Sequence, residues 1–183
     1  VRVPATTANL GPGFDTLGLA LALYNTLTFE ELAEGLYFEG VDPEYATAEN
    51  LAVVAYKAVL SKLGLPMPGL RISVQAEIPI CRGLGSSAAL IAAGAAGANA
   101  NHGSPLTRAE LLAVCNDIEG HPDNLAPAIF GGLVASFVEN ERPYIARYSL
   151  HKRLRCTALI PDFQLSTHLA RGVLPKEVPY GDA

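Results

Sequence analysis

The run Pro79-Ile80-Cys81-Arg82-Gly83-Leu84-Gly85-Ser86-Ser87-Ala88-Ala89 joins two patterns of different period. Upstream, Leu70, Ile72, Val74, Ala76 and Ile78 alternate strictly with polar residues. That period of two predicts a strand over residues 70–78, which Pro79 closes. Downstream, a run of small residues without proline predicts a helix over 86–100. A strand therefore feeds a glycine loop, and the loop feeds a helix. Gly83 and Gly85 permit positive φ and the close approach of a ligand. The helix mouth offers free N–H groups and a partial positive charge to an anion. Ser86 and Ser87 add hydroxyls suited to a phosphate or a metal. A nucleotide phosphate site needs these features; the plainer alternative is a glycine turn with serine caps.

Two other phosphate motifs fail here. Gly83-x-Gly85-x-x-Ala88 has the spacing of a dinucleotide fingerprint, which also needs an acidic residue about 20 positions on. No Asp or Glu occurs between Glu77 and Glu110. No Lys follows the glycines either, so a Walker A loop is excluded.

Working outward, the other elements mix without a regular βαβ rhythm, which favours α+β. A short apolar segment at 1–3 precedes a Pro-Gly-rich loop running to Phe14. Residues 23–30 alternate as a strand, and a weaker strand at 36–40 is expected to pair with it. Residues 50–63 read as a helix with Leu51, Val54, Ala55 and Ala58 on its apolar face, stopped by Gly64 and Pro66. Thr107-Arg108-Ala109-Glu110 is a capping box that opens a helix with Leu111, Val114, Cys115 and Ile118 on one face. A short helix ended by Gly131-Gly132 follows, then a hairpin of 133–138 with 144–148. The basic stretch 151–155 is a candidate domain boundary, and 155–160 reads as a further strand.

Composition narrows the class. Half of the 183 residues are apolar, so the chain can bury a core. The net charge of −5 and the lack of a basic-aromatic stripe argue against nucleic-acid binding. The three cysteines are far apart and the four histidines show no zinc spacing, which points to a reducing compartment. Nothing resembles a membrane span, and the chain reads as soluble and cytosolic. It opens Val-Arg-Val-Pro without Met, which leads us to expect a trimmed chain.

Three further segments could carry chemistry. Pro4-Ala5-Thr6-Thr7-Ala8-Asn9-Leu10-Gly11-Pro12-Gly13-Phe14-Asp15 holds Asn9, a donor and acceptor, and Asp15, an acceptor for an ammonium or hydroxyl. Glu119-Gly120-His121-Pro122-Asp123-Asn124 brings four polar groups together around a turn. Glu119 suits a divalent cation, and His121 and Asn124 suit a substrate. In Ser166-Thr167-His168-Leu169-Ala170-Arg171, Thr167 and Arg171 share a helical face, and a guanidinium there suits a carboxylate. Each also has an ordinary structural reading: an Asx turn at Asn9, a helix cap at Asn124, a solvated Arg171.

The four segments in this order resemble the GHMP kinases, and most specifically their homoserine kinase branch. The opening motif, the Glu119-to-Asn124 turn and the run from Ser166 through Val173-Leu-Pro-Lys-Glu-Val-Pro carry the resemblance, which covers essentially the whole chain. It implies a ribosomal protein S5 domain 2-like N-terminal domain over 1–152, followed by the start of a ferredoxin-like domain over 153–183. It implies transfer of the ATP γ-phosphoryl group to the hydroxyl of L-homoserine, on the way to threonine. Pro79, Arg82, Gly83, Leu84, Gly85, Ser86 and Ser87 would hold ATP phosphates, with Asn50 near the nucleoside. Ser87 and Glu119 would hold Mg²⁺, with Asp117 competing for that role. Asn9, Asp15, His121, Asn124, Thr167 and Arg171 would surround L-homoserine, and a homodimer is compatible with the family. Related kinases place an aspartate where Asn124 stands. An amide cannot be a general base, so Asn124 is expected to position the hydroxyl, while Asp123, adjacent on a turn, is expected to point elsewhere. Alternatives are another small-molecule kinase of the superfamily or a non-catalytic binding module on the same fold.

Overall fold

The computed structural model describes residues 1–140, 142–160, 177–179 and 181. Strand β1 (Arg2–Asn9) and the 20-residue strand β2 (Gly13–Leu32) form an antiparallel pair, followed by β3 (Leu36–Glu39). Helix α1 (Leu51–Lys62) leads to β4 (Gly69–Ala76), then α2 (Ser86–Asn101), α3 (Arg108–Glu119) and the short α4 (Leu125–Phe130). Strands β5 (Leu133–Glu139) and β6 (Arg142–Tyr148) make the expected hairpin. The sheet is ordered β3-β4-β2-β5-β6, with β1 paired to β2. This is the α+β class read from the sequence.

Strand β2 is the spine. Its residues 25–32 pair with β4 and its residues 17–19 with β5. Against β1 the register runs Pro4↔Tyr24 and then Thr6↔Ala20, so β2 has two extra residues at that point. Along β2, Asn25 and Leu27 are buried beyond this point and Gly18 before it. Gly18 lies where a Cβ would collide with the backbone carbonyl of Asp123, so its missing side chain lets the 121–124 turn come close to the sheet.

The core is filled by Leu27, Tyr56, Leu60, Leu70, Ile72, Ile91 and Leu112. Helix α2 owes its burial to small residues. A Cβ on Gly94 would meet the carbonyl of Ala52, so α1 and α2 can touch backbone to backbone.

Four expectations need correction. The segment before Phe14 is not a loop: β1 runs to Asn9, because Ala5 and Thr6 are buried and the strand pairs with β2 alone, where Pro4 is tolerated. Strand β3 pairs in parallel with β4 rather than with β2. Strand β4 already occupies that part of β2, and α1 supplies the crossover a parallel pair requires. Helix α1 buries Ala52, Ala55, Tyr56, Val59 and Leu60, whereas Leu51, Val54 and Ala58 lie at the margin. Residues 155–160 form no strand; no described strand pairs with them, and Leu159 is 91% exposed.

Candidate functional site

The loop between β4 and α2 is wound tightly. Every second residue is left-handed: Cys81 at φ 55°, Gly83 at 69° and Gly85 at 67°. Such alternation turns successive N–H groups toward a common concavity, an anion nest. Asn25 anchors the entrance, its Oδ1 accepting from the N–H groups of Glu77 and Ile78, both at 2.9 Å. Gly85, not a serine, is the N-cap of α2. Ser87 is engaged elsewhere: its hydroxyl donates to Oε1 of Glu119 at 2.7 Å.

That contact joins the loop to the end of α3, where Gly120 in the left-handed conformation releases the chain into the 121–124 turn. Asp123 is 3% exposed, and its Oδ1 accepts from the backbone N–H of Asn124 at 2.8 Å. The same oxygen lies 2.8 Å from Nδ1 of His121, which must carry the proton because a carboxylate only accepts. Asn124 does not cap α4 with its side chain; its Oδ1 accepts from the hydroxyl of Thr6 at 2.9 Å.

A cavity of about 880 Å³ runs across these elements. Its wall takes in Asn9, the loop residues Arg82, Gly83, Leu84, Gly85, Ser86 and Ser87, then Glu119, His121, Asp123 and Asn124, with Asn50 and Tyr45 at the far end. Asn50 is also the N-cap of α1: Oδ1 accepts from Ala52 N–H at 3.0 Å and Nδ2 donates to the carbonyl of Tyr45 at 2.9 Å. Glu44 beside Tyr45 raises its phenol above the ordinary value, an acidic setting at that end.

Of the residues proposed from sequence, Pro79 and Asp15 stand outside this wall. Asp15 is one hydrogen bond away, its N–H donating to Asn9 Oδ1 at 3.0 Å. Asp117 is exposed on α3 and also outside the wall, while Glu119 lies in it. Thr167 and Arg171 fall outside the described residues. Two residues were missed. Asp123 was expected to point elsewhere, yet it lines the cavity and holds His121; the His-x-Asp spacing at an Asx-type turn was the available signal. Thr6 gave no signal, because its contact spans 118 positions.

Residues 50–132 match the family model described as the GHMP kinases N terminal domain. That stretch is similar to a GHMP kinase N-terminal domain. It holds both the phosphate-type loop and the 121–124 turn, whereas Thr6 and Asn9 lie ahead of the matched region. The chain is 47% identical over 182 residues to the homoserine kinase of Clostridium botulinum (strain Loch Maree / Type A3), covering all of this chain and 61% of that protein. A solved structure assigned as a homoserine kinase from Listeria monocytogenes superposes with a TM-score of 0.78 at 34% identity, covering 99% of this chain and 61% of the other. The homoserine kinase of Cytophaga hutchinsonii gives 0.76 at 27% identity, covering 98% and 61%. The chain thus spans about 61% of the length of these relatives.

Proposed function

We propose that this GHMP kinase-like domain serves ATP-dependent phosphorylation of the L-homoserine hydroxyl in the cytosol, a step toward threonine. The observation that carries the reading is convergence: a nest-like loop at a helix mouth and a polar turn from a separate helix share one cavity. Phosphoryl transfer asks for alignment and charge neutralisation more than covalent chemistry. In this reading the loop from Gly83 to Ser87 binds the ATP phosphates through backbone N–H groups and Ser86. Asn124 holds the acceptor hydroxyl, with His121 beside it. The zwitterion of homoserine is matched by Asp15 for its ammonium and by Arg171, with Thr167, for its carboxylate. Residues 1–152 form the first domain, and 153–183 begin the second.

The residues also fit Mg²⁺. Ser87 and Glu119 offer a hydroxyl and a carboxylate in contact, the hard oxygen donors Mg²⁺ takes alongside substrate phosphates. Among the described residues no three His, Cys, Asp or Glu side chains cluster as a metal site. When bound, Mg²⁺ neutralises charge on the phosphates. Among the described residues no helix is long and apolar enough to cross a membrane.

The test is a coupled assay of the full-length protein with ATP, Mg²⁺ and a panel of small alcohols. Turnover restricted to L-homoserine supports the reading. Preference for mevalonate or a sugar moves it to another kinase of the superfamily, and nucleotide binding without turnover makes the fold a binding module.

A further inference from the structure

Thr6 on β1 is completely buried. Its backbone N–H donates to the carbonyl of Leu84 at 3.1 Å, which ties β1 to the phosphate-type loop. Its hydroxyl donates to Oδ1 of Asn124 at 2.9 Å, which ties β1 to the 121–124 turn. The same hydroxyl occupies the space a Cβ on Gly85 would need, and Asn124 Oδ1 is 3.2 Å from that space. One threonine therefore touches the two elements that donor and acceptor would approach.

We infer that Thr6 is a positioning residue that sets the orientation of the Asn124 amide. A carboxamide presents a C=O on one side and an NH₂ on the other, and either can face a hydroxyl. With Oδ1 engaged by Thr6, the NH₂ is the group left for the cavity that Asn124 lines. The turn then offers its substrate a hydrogen-bond donor. A donor holds a lone pair of an attacking oxygen or a charged phosphoryl oxygen, and it takes no proton. Removing the Thr6 hydroxyl frees the amide to turn over and present an acceptor instead. The unpaired Oδ1 beside Gly85 would favour that flip, because a buried acceptor without a partner is unfavourable.

The inference rests on the phosphoryl-transfer reading, and a double-mutant cycle in the full-length protein separates the two. Thr6→Val keeps the shape and removes the hydroxyl; Thr6→Ser keeps the hydroxyl and removes the methyl. Thr6→Val should lower kcat for homoserine phosphorylation at least about tenfold, the scale of one buried hydrogen bond. KM for ATP should stay within about twofold, and Thr6→Ser should recover most of the loss. In an Asn124→Ala background, Thr6→Val should have almost no further effect, because the two act as one unit. A kcat within about twofold of wild type for Thr6→Val, a loss in Thr6→Ser as large as in Thr6→Val, or losses that multiply in the double variant would overturn the role. Should Thr6→Val fail to fold, Thr6→Ala against Thr6→Ser gives the same comparison. Should the wild type transfer no phosphoryl group, the kinase reading falls, and the cycle is read on homoserine affinity by calorimetry with the same expected non-additivity.

Discussion

Gly85 combines two demands that no other residue type meets. Its φ of 67° is left-handed, and the space for a Cβ is taken by Thr6 and Asn124. Gly83 has a similar φ of 69° but nothing within 4 Å of a would-be Cβ. Gly83→Ala should therefore carry only the left-handed penalty of about 1–2 kcal/mol. Gly85→Ala should add overpacking of about 1–3 kcal/mol and spread the Thr6–Asn124 contact. Urea unfolding of both variants gives the comparison, and equal losses would mean that Thr6 yields without strain. A ligand's need for close approach suggests glycine at both positions from sequence alone. The structure assigns the space beside Gly85 to the protein's own side chains, so intolerance of substitution there would reflect internal packing as well as phosphate access.

Elements are where local pattern was most legible. The Thr107–Glu110 capping box is present as read: Thr107 Oγ1 accepts from Glu110 N–H, and Glu110 Oε2 accepts from Thr107 N–H. The Thr107 backbone N–H foremost, and then the Thr107 hydroxyl, both donating to Oε2, hold the Glu110 carboxyl below its ordinary value. The lowered folded value means this stabilisation is present above the unfolded carboxylate pKa and is lost as pH falls through the folded value. Thr107→Ala should destabilise the fold by about 0.5–2 kcal/mol at neutral pH, the usual loss for an N-cap threonine. Unfolding curves at a series of acidic pH values should show the gap between wild type and variant narrowing but not closing. Of the bonds that the variant loses, acid weakens only the Thr107 hydroxyl's bond to the Glu110 carboxylate and leaves the Glu110 N–H bond to Thr107 Oγ1 intact.

Helix α2 is the opposite case. Its composition predicts a helix without saying why glycines interrupt it. Gly94 faces the Ala52 carbonyl, which is backbone and cannot step aside, whereas Gly97 faces the ring of Phe29, a partly buried side chain packed on Tyr56. Alanine gains about 1 kcal/mol of helix propensity over glycine at either site. Gly94→Ala should nevertheless lower Tm, and Gly97→Ala should lower it less, because it displaces one ring rather than a backbone. Two equal shifts would show that α1 and α2 can separate freely.

At the scale of the whole molecule, the three cysteines report on global rather than local order. Cys81 and Cys156 are exposed and Cys115 is buried. Burial pushes the Cys115 thiol up to about 12. At pH about 8, near the ordinary thiol pKa, two thiols should react readily with an aromatic disulfide reagent. The third should react only as fast as the domain unfolds. Prompt reaction of all three would mean that α3 opens without the rest of the fold.

The sequence by itself determined what depends on neighbours along the chain. The strand–loop–helix unit around residues 79–89, the capping box, the hairpin of β5 and β6 and the α+β class follow from period, caps and breakers within a few residues. Tertiary structure alone decided what depends on strands passing side by side. The pairing of β3 with β4, the strand character of residues 4–9 and the buried face of α1 follow from which sheet edge is occupied and which helix lies alongside. The site divides in the same way. Ser87 and Glu119 could be nominated as separate candidates, but a hydrogen bond across 32 positions is a property of α2 packed on α3. Thr6 reaches Asn124 across 118 positions because β1 and the 121–124 turn pack together, with Gly18 on β2 leaving room for the backbone of Asp123. A hydrogen bond is short-ranged in space and indifferent to separation along the chain, so a contact of this kind leaves no periodic mark in the sequence.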